Sequence, residues 1–228
     1  MAVTASLPAA KSRFGVSLPL LVALVAFIAV LANASGLLGD PDTYWHIVVG
    51  HWLLAHHAVP HADIFSNSKP GAPWVPHEWL AETIFAPLYD GWGWNGPVLI
   101  PALSLAATLA ILTRALLRWL EPVHVLAAVA AASGLIPAHL LARPHILTLP
   151  IMVLWFAALV EARERNRVPP LWLAALMTVW ANLYGGYVLG LAFAAKSPAA
   201  TLMDHLTGWN RVYADDTAVI HVRADSTC

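Results

Sequence analysis

Five stretches of this chain, at 16–38, 97–113, 123–141, 146–160 and 171–193, stay apolar over most of the length that a bilayer-crossing helix needs. Such a helix takes about 20 mostly apolar residues. Five windows in 228 residues leave little sequence for a water-soluble core. Charge agrees, because only 11% of the residues are charged where soluble domains carry about a quarter. The net charge of -1 gives no reason to expect a nucleic-acid partner, and no basic tract reverses that. The lone cysteine, Cys228, excludes an intrachain disulfide.

Lysine and arginine set the expected orientation, since they are retained on the cytoplasmic side. Lys11 and Arg13 precede the first window, Arg114 and Arg118 follow the second, and Arg163, Arg165 and Arg167 follow the fourth. All seven share one side if the amino terminus is cytoplasmic. The other side then receives the loop 39–96, Arg143 and the tail 196–228. A competing reading of the first window is a cleaved signal peptide, because Ala32-Asn33-Ala34 has the small-residue pattern of a processing site. Either reading exports the loop.

Six of the 11 histidines and six of the 11 tryptophans fall between Gly39 and Gly96. The loop opens "GDPDTYWHIVVGHW", with Asp40 placed as an N-cap and Pro41 at the first helical position. On a helical wheel Trp45, Val48 and Trp52 share one face, while Asp42, Thr43, His46, Gly50 and His57 share another. That pattern predicts a surface helix with tryptophans at headgroup depth and its polar side turned to a crevice or to water. A second short helix is expected from about Pro76, with Glu78 and Glu82 on one side and Leu80, Ile84, Phe85 and Leu88 on the other.

The two helices would bring Asp40, Asp42, His46, His77 and Glu78 to one surface. Each has a plainer explanation. Asp40 serves as a cap, Asp42 favours the positive helix end, and His51, His56 and His61 suit an interface. The cluster says more than its members, since ionisable groups at a membrane boundary tend to be functional. A carboxylate there is a candidate general base. Asp40 and Asp42 with His46 are also candidate ligands of a divalent cation, Mg²⁺ or Mn²⁺ by carboxylate preference, although the spacing matches no dedicated metal motif.

Two further polar positions stand out. Arg143, before Pro144 and His145, sits on the exported side, where its fork suits a phosphate or anchors to lipid headgroups. Asn182, in "WANLYGGYVLG", either bonds across helices or lines a cavity, and Gly186 and Gly190 are spaced for close helix packing.

The pieces "GDPDTYWHIVVGHWLLAHHAVPHADIFSNS", "WVPHEWLAETIF", "ARPHILTLP" and "WANLYGGYVLGL" occur in an order that resembles a group of bacterial integral membrane proteins, glycosyltransferase-like within the GT-C superfamily. The resemblance covers residues 14 to about 193. It implies a sugar donor on a polyprenyl-phosphate carrier, transfer of a hexose or pentose on the non-cytoplasmic face, and residence in the bacterial inner membrane as a multi-pass protein. By position it implies Asp40 and Asp42 for the acceptor or a metal, and Arg143 for the lipid phosphate. His46 beside the aspartates is a further catalytic candidate, and His77, Glu78, Arg143, His145 and Asn182 are the candidate substrate contacts. Tyr184 stands where the family's Asn-x-His-Gly stretch would have histidine. GT-C enzymes also have more than five spans. The passage from Ala195 into the tail is what an internal deletion would leave, with the tail's end resembling the carboxyl terminus of full-length relatives.

The expected fold is therefore an all-α integral membrane domain over 1–195. It has about five transmembrane helices and two interfacial amphipathic helices, followed by an exported tail. Within the tail, "RVYADDTAVIHVR" predicts a small β-hairpin turning at Asp215-Asp216. Sugar transfer is the leading functional expectation. The alternative is a shortened, non-catalytic membrane protein that binds a lipid carrier or a partner. Transport is disfavoured, because no window interior carries a paired acidic and basic relay.

Overall fold

The computed structural model describes residues 17–194, 209–214 and 219–223. Among the described residues the membrane-type windows are helical, but only two helices are long and apolar enough to cross a bilayer. One is α5 (Asn95–Leu116). The other is the run Pro144–Glu164, in which a 3₁₀ turn, Pro144–Leu147, leads into α7 (Thr148–Glu164). The expectation of five continuous spanning helices is corrected accordingly. The remaining windows form α1 (Leu18–Ala32), α6 (Pro122–Leu135) and α8 (Trp172–Leu183), of 15, 14 and 12 residues. At 1.5 Å per residue the longest reaches about 22 Å, short of a hydrocarbon core about 30 Å thick.

Each short helix stops at an identifiable residue. Asn33 leaves helical geometry at φ -112° and ψ 30°, separating α1 from a single further turn, α2 (Ala34–Leu37). Pro137 begins a 3₁₀ turn, Pro137–His139, just after α6, because a proline has no N–H to continue the α-helical ladder. Tyr184 is fully extended ahead of Gly185 and Gly186, and the chain resumes as α9 (Tyr187–Ala194). Gly190 lies against Trp180 and Met177 of α8, and its carbonyl accepts from Trp155 Nε1 at 3.2 Å.

The centre of the fold is α5, which packs on α1, α4 (Trp79–Trp92), α6 and α7. Its two sides feed separate cores. Val98, Ala102, Leu105 and Leu109 meet Ala26 and Val30 of α1 and Val125 and Val129 of α6. Ile100 joins Ile47, Phe85, Ala142 and Ile146 in a second core beneath the polar loop. A third, built on Trp155, Leu173 and Trp180, holds α7 to α8.

The loop after α2 folds into α3 (Asp42–His56) and α4. Both begin later than expected. Pro41 precedes the first helical residue, and α4 starts at Trp79. His57, expected on the polar face, instead ends α3 in left-handed geometry at φ 49°. The larger correction concerns the polar side of α3. Thr43, His46 and Gly50 are buried, facing α4 and the 142–146 segment instead of water. Gly50 allows the approach, since a Cβ there would sit 2.1 Å from the Glu82 carbonyl oxygen. Gly96 does the same at the α4–α5 corner, where a Cβ would lie 2.0 Å from the Leu88 oxygen.

Between α3 and α4 the loop closes on Asp63, whose carboxylate accepts the Phe65 and Ser66 N–H groups and the Ser66 hydroxyl. These bonds hold the Asp63 carboxyl below its ordinary range, the Ser66 hydroxyl contributing most. Trp45 of α3 meets Phe65 and Trp74 edge-on at 5.0 and 6.0 Å, seating the loop over the helix.

Downstream, Trp209–Ala214 and Val219–Arg223 are two extended strands, β1 and β2, paired antiparallel with Trp209 opposite Arg223. The turn expected at Asp215-Asp216 and the junction expected after Ala195 lie outside the described residues.

Gly50→Ala is expected to destabilise the protein by about 1–3 kcal/mol through overpacking of α3 on α4. Gly91→Ala, in open space on α4, should be neutral or slightly stabilising; thermal unfolding in detergent compares the two. The Asp63 turn should persist at any pH above the ordinary carboxylate value and open only as pH falls through the lowered one. Hydrogen exchange at Phe65 and Ser66 across an acid titration reads that transition.

Candidate functional site

The site is assembled around Ala142, which is fully buried. Its N–H donates to the Leu37 carbonyl at 2.8 Å, and its carbonyl accepts from Thr43 Oγ1 at 2.9 Å. Both backbone groups of this residue are thus satisfied by the far end of the chain, as a buried peptide requires. Pro144 then restricts the residue before it, and Arg143 is extended at φ -130° and ψ 160°. The strap and the proline together aim Arg143 at the start of α3.

Arg143 Nη1 donates to Asp40 Oδ2 at 2.9 Å, and Nη2 to Asp42 Oδ2 at 2.6 Å. The other Asp40 oxygen accepts the Asp42 N–H at 2.9 Å, acting as a cap from just outside the helix. The guanidinium keeps 35% of its side-chain surface and Asp42 keeps 52%. This is a solvent-facing ion triad, so its Coulombic contribution to stability is modest. An open cleft of about 260 Å³ lies beside it, lined by Leu38, Asp40, Thr43, Tyr44 and Trp94.

The second cluster lies one turn further along α3. His46 Nδ1 is 3.2 Å from Glu82 Oε1 and 3.6 Å from Glu78 Oε2. His46 and Glu82 are buried, whereas Glu78 keeps about a quarter of its side-chain surface. Burial raises the Glu78 carboxyl above its ordinary range and the Glu82 charge adds to that, while His46, Arg143 and His77 oppose it. A cleft of about 220 Å³ opens over this group between Trp45, Trp74 and His77.

The remaining expected residues are placed less centrally. His77 is exposed, its Nδ1 2.8 Å from the Val75 carbonyl. The His145 ring is held by the His139 carbonyl at 2.8 Å and lies 5.9 Å from the Tyr184 ring. Asn182 bonds across helices, accepting from Trp79 Nε1 at 2.6 Å while its amide donates to Thr178. Both polar ends of Asn182 therefore have protein partners.

No protein-family model, no curated protein and no solved structure matches this chain.

Asp40 and Asp42 do not fit the cation expected there. The guanidinium already lies against both carboxylates, and a divalent ion at the same oxygens would meet its charge at short range. Among the described residues, the one group arranged to hold a metal is His46, Glu78 and Glu82, with ligand atoms all within 4.8 Å of one another. Glu82 was missing from the expected site. The available signal was its four-residue spacing from Glu78, which puts both carboxylates on one helix face.

Thr43→Val leaves the buried Ala142 carbonyl without its donor and should cost about 1–3 kcal/mol. Thr43→Ser should recover most of that loss; thermal unfolding of the two variants checks it.

Proposed function

We propose that this chain is a GT-C-type membrane glycosyltransferase of the bacterial inner membrane, moving a hexosyl or pentosyl group from a polyprenyl-phosphate carrier to an acceptor on the non-cytoplasmic face. The observation that carries the reading is the Arg143–Asp40–Asp42 triad, in which a guanidinium, whose fork suits a phosphate, and a partly exposed carboxylate are held together beside an open cleft.

The chemistry follows from those groups. The lipid phosphate draws the Arg143 fork, which matches phosphate oxygens in pairs, away from the more exposed Asp42. Asp42 is then free to take the proton of an acceptor hydroxyl as that oxygen attacks the anomeric carbon. The bond from the sugar to the phosphate oxygen breaks, and the carrier phosphate leaves with the bonding electrons. Arg143 stabilises the charge that develops on it, and Asp40 keeps hold of the arginine throughout.

A membrane setting is supported by the two long apolar helices and by α1, which leaves Leu20, Leu21, Leu24, Val25 and Ile28 uncovered. On this reading α1 with α2, α6 with the turn after it, and α8 with α9 complete the remaining crossings as broken helices. The arginines and lysines then put the amino terminus inside and α3 and α4 at the outer interface.

The alternative is a non-catalytic binder of lipid carriers. Its support is that Asp40, Asp42 and Arg143 already satisfy one another. Purified protein in lipid nanodiscs, given labelled polyprenyl-phosphate sugars and acceptor, separates the two. Transfer that falls about 10²–10⁴-fold in Asp42→Asn, with carrier binding retained, is the result expected for a general base. Carrier binding with no turnover by the unaltered chain favours the binder, and neither binding nor turnover rejects both.

A further inference from the structure

We propose that His46, Glu78 and Glu82 form a binding site for a divalent transition-metal ion of the Zn²⁺ or Mn²⁺ class, separate from the Asp40–Asp42–Arg143 triad.

Three observations converge on it. The first is spacing. Ligands about 2.0–2.2 Å from one tetrahedral ion lie about 3.3–3.6 Å from each other, and the His46 nitrogen is 3.2 and 3.6 Å from the two carboxylate oxygens. The second is an unmet need. Glu82 keeps only 3% of its side-chain surface, yet Oε2, the partner of the oxygen facing His46, has no hydrogen-bond partner among the described residues. A buried carboxylate oxygen left in that state is costly unless a cation meets it. The third is charge. Glu78 and Glu82 are two carboxylates close to the His46 imidazole, with Arg143 and His77 also acting on Glu78. Among the described residues neither is ion-paired to an arginine or lysine, and a divalent ion supplies the missing positive charge.

The donor set selects the metal class. An imidazole nitrogen beside two carboxylates favours Zn²⁺ or Mn²⁺ over Mg²⁺, which prefers oxygen alone. Three protein ligands also leave a coordination position free. Glu78 is the exposed member, so that position opens into the cleft between Trp45 and Trp74, where a hydroxyl or phosphate oxygen of a ligand can reach it. The site does not depend on the sugar-transfer reading.

The test uses the full chain in detergent, stripped with EDTA, re-equilibrated with ZnCl₂ or MnCl₂ and passed through gel filtration before elemental analysis. One ion per chain is expected. Glu78→Gln and Glu82→Gln should each weaken binding by more than the roughly 10–100-fold that loss of an outer-shell partner costs, and Asp42→Asn should bind as the unaltered chain does. Co²⁺ loading adds a spectroscopic reading, with visible bands in the unaltered chain that are lost in both glutamine variants. If Glu82→Gln fails to fold, the more exposed Glu78→Gln decides between a bound ion and none. No retained ion, binding unchanged in Glu78→Gln, or binding abolished in Asp42→Asn would each overturn the proposal.

Discussion

The structure depends on the buried backbone of Ala142. A peptide group cannot be taken out of water without partners, and this one finds them in the Leu37 carbonyl and the Thr43 hydroxyl. That pair of bonds ties the turn before α7 to the junction of α2 and α3, across about a hundred residues. Ile47, Phe85, Ile100 and Ile146 close over it. The ion triad follows from this strap, because Arg143 is the next residue and Pro144 leaves it extended. Without the strap, the arginine and the two aspartates would be independent surface charges.

The same logic explains why α3 and α4 behave as one unit. Gly50 lets α3 press onto the backbone of α4, and the residue at the contact is Glu82. Packing this close carries a carboxylate and an imidazole into a place that water does not reach. The fold accepts a polar pair inside an otherwise apolar seam, with Glu82 Oε2 and His46 Nε2 left without partners among the described residues. Such groups are rarely retained without a reason, and a bound cation supplies one. The two acidic clusters therefore differ in kind. One is open and bridged by an arginine, and the other is mostly buried, with a carboxylate oxygen unpaired among the described residues.

Much of the helical framework was legible in the residues. Every apolar window became helix, and the polar segment between the first two folded into two short helices carrying the histidines and acids. The lengths were not legible. Hydropathy averages over a window and is blind to one residue leaving helical geometry, as Asn33 and Tyr184 do. The helical wheel of α3 grouped Thr43, His46 and Gly50 correctly, although His57 leaves the helix, and it gave the three the wrong environment. Thr43, His46 and Gly50 do share a face, but periodicity cannot say whether that face meets water or another helix.

The sequence alone determined which segments are helical, where the charges and histidines concentrate, and that Glu78 and Glu82 share a helix face. These are properties of neighbours along the chain, set by residue type and the 3.6-residue turn. Tertiary structure alone decided that Arg143 meets Asp40 and Asp42, that Asn182 binds Trp79, and that Glu82 joins His46. Those contacts span 36 to 103 positions. Such pairings arise only when buried backbone groups and close-packed glycines leave the helices a single way to meet.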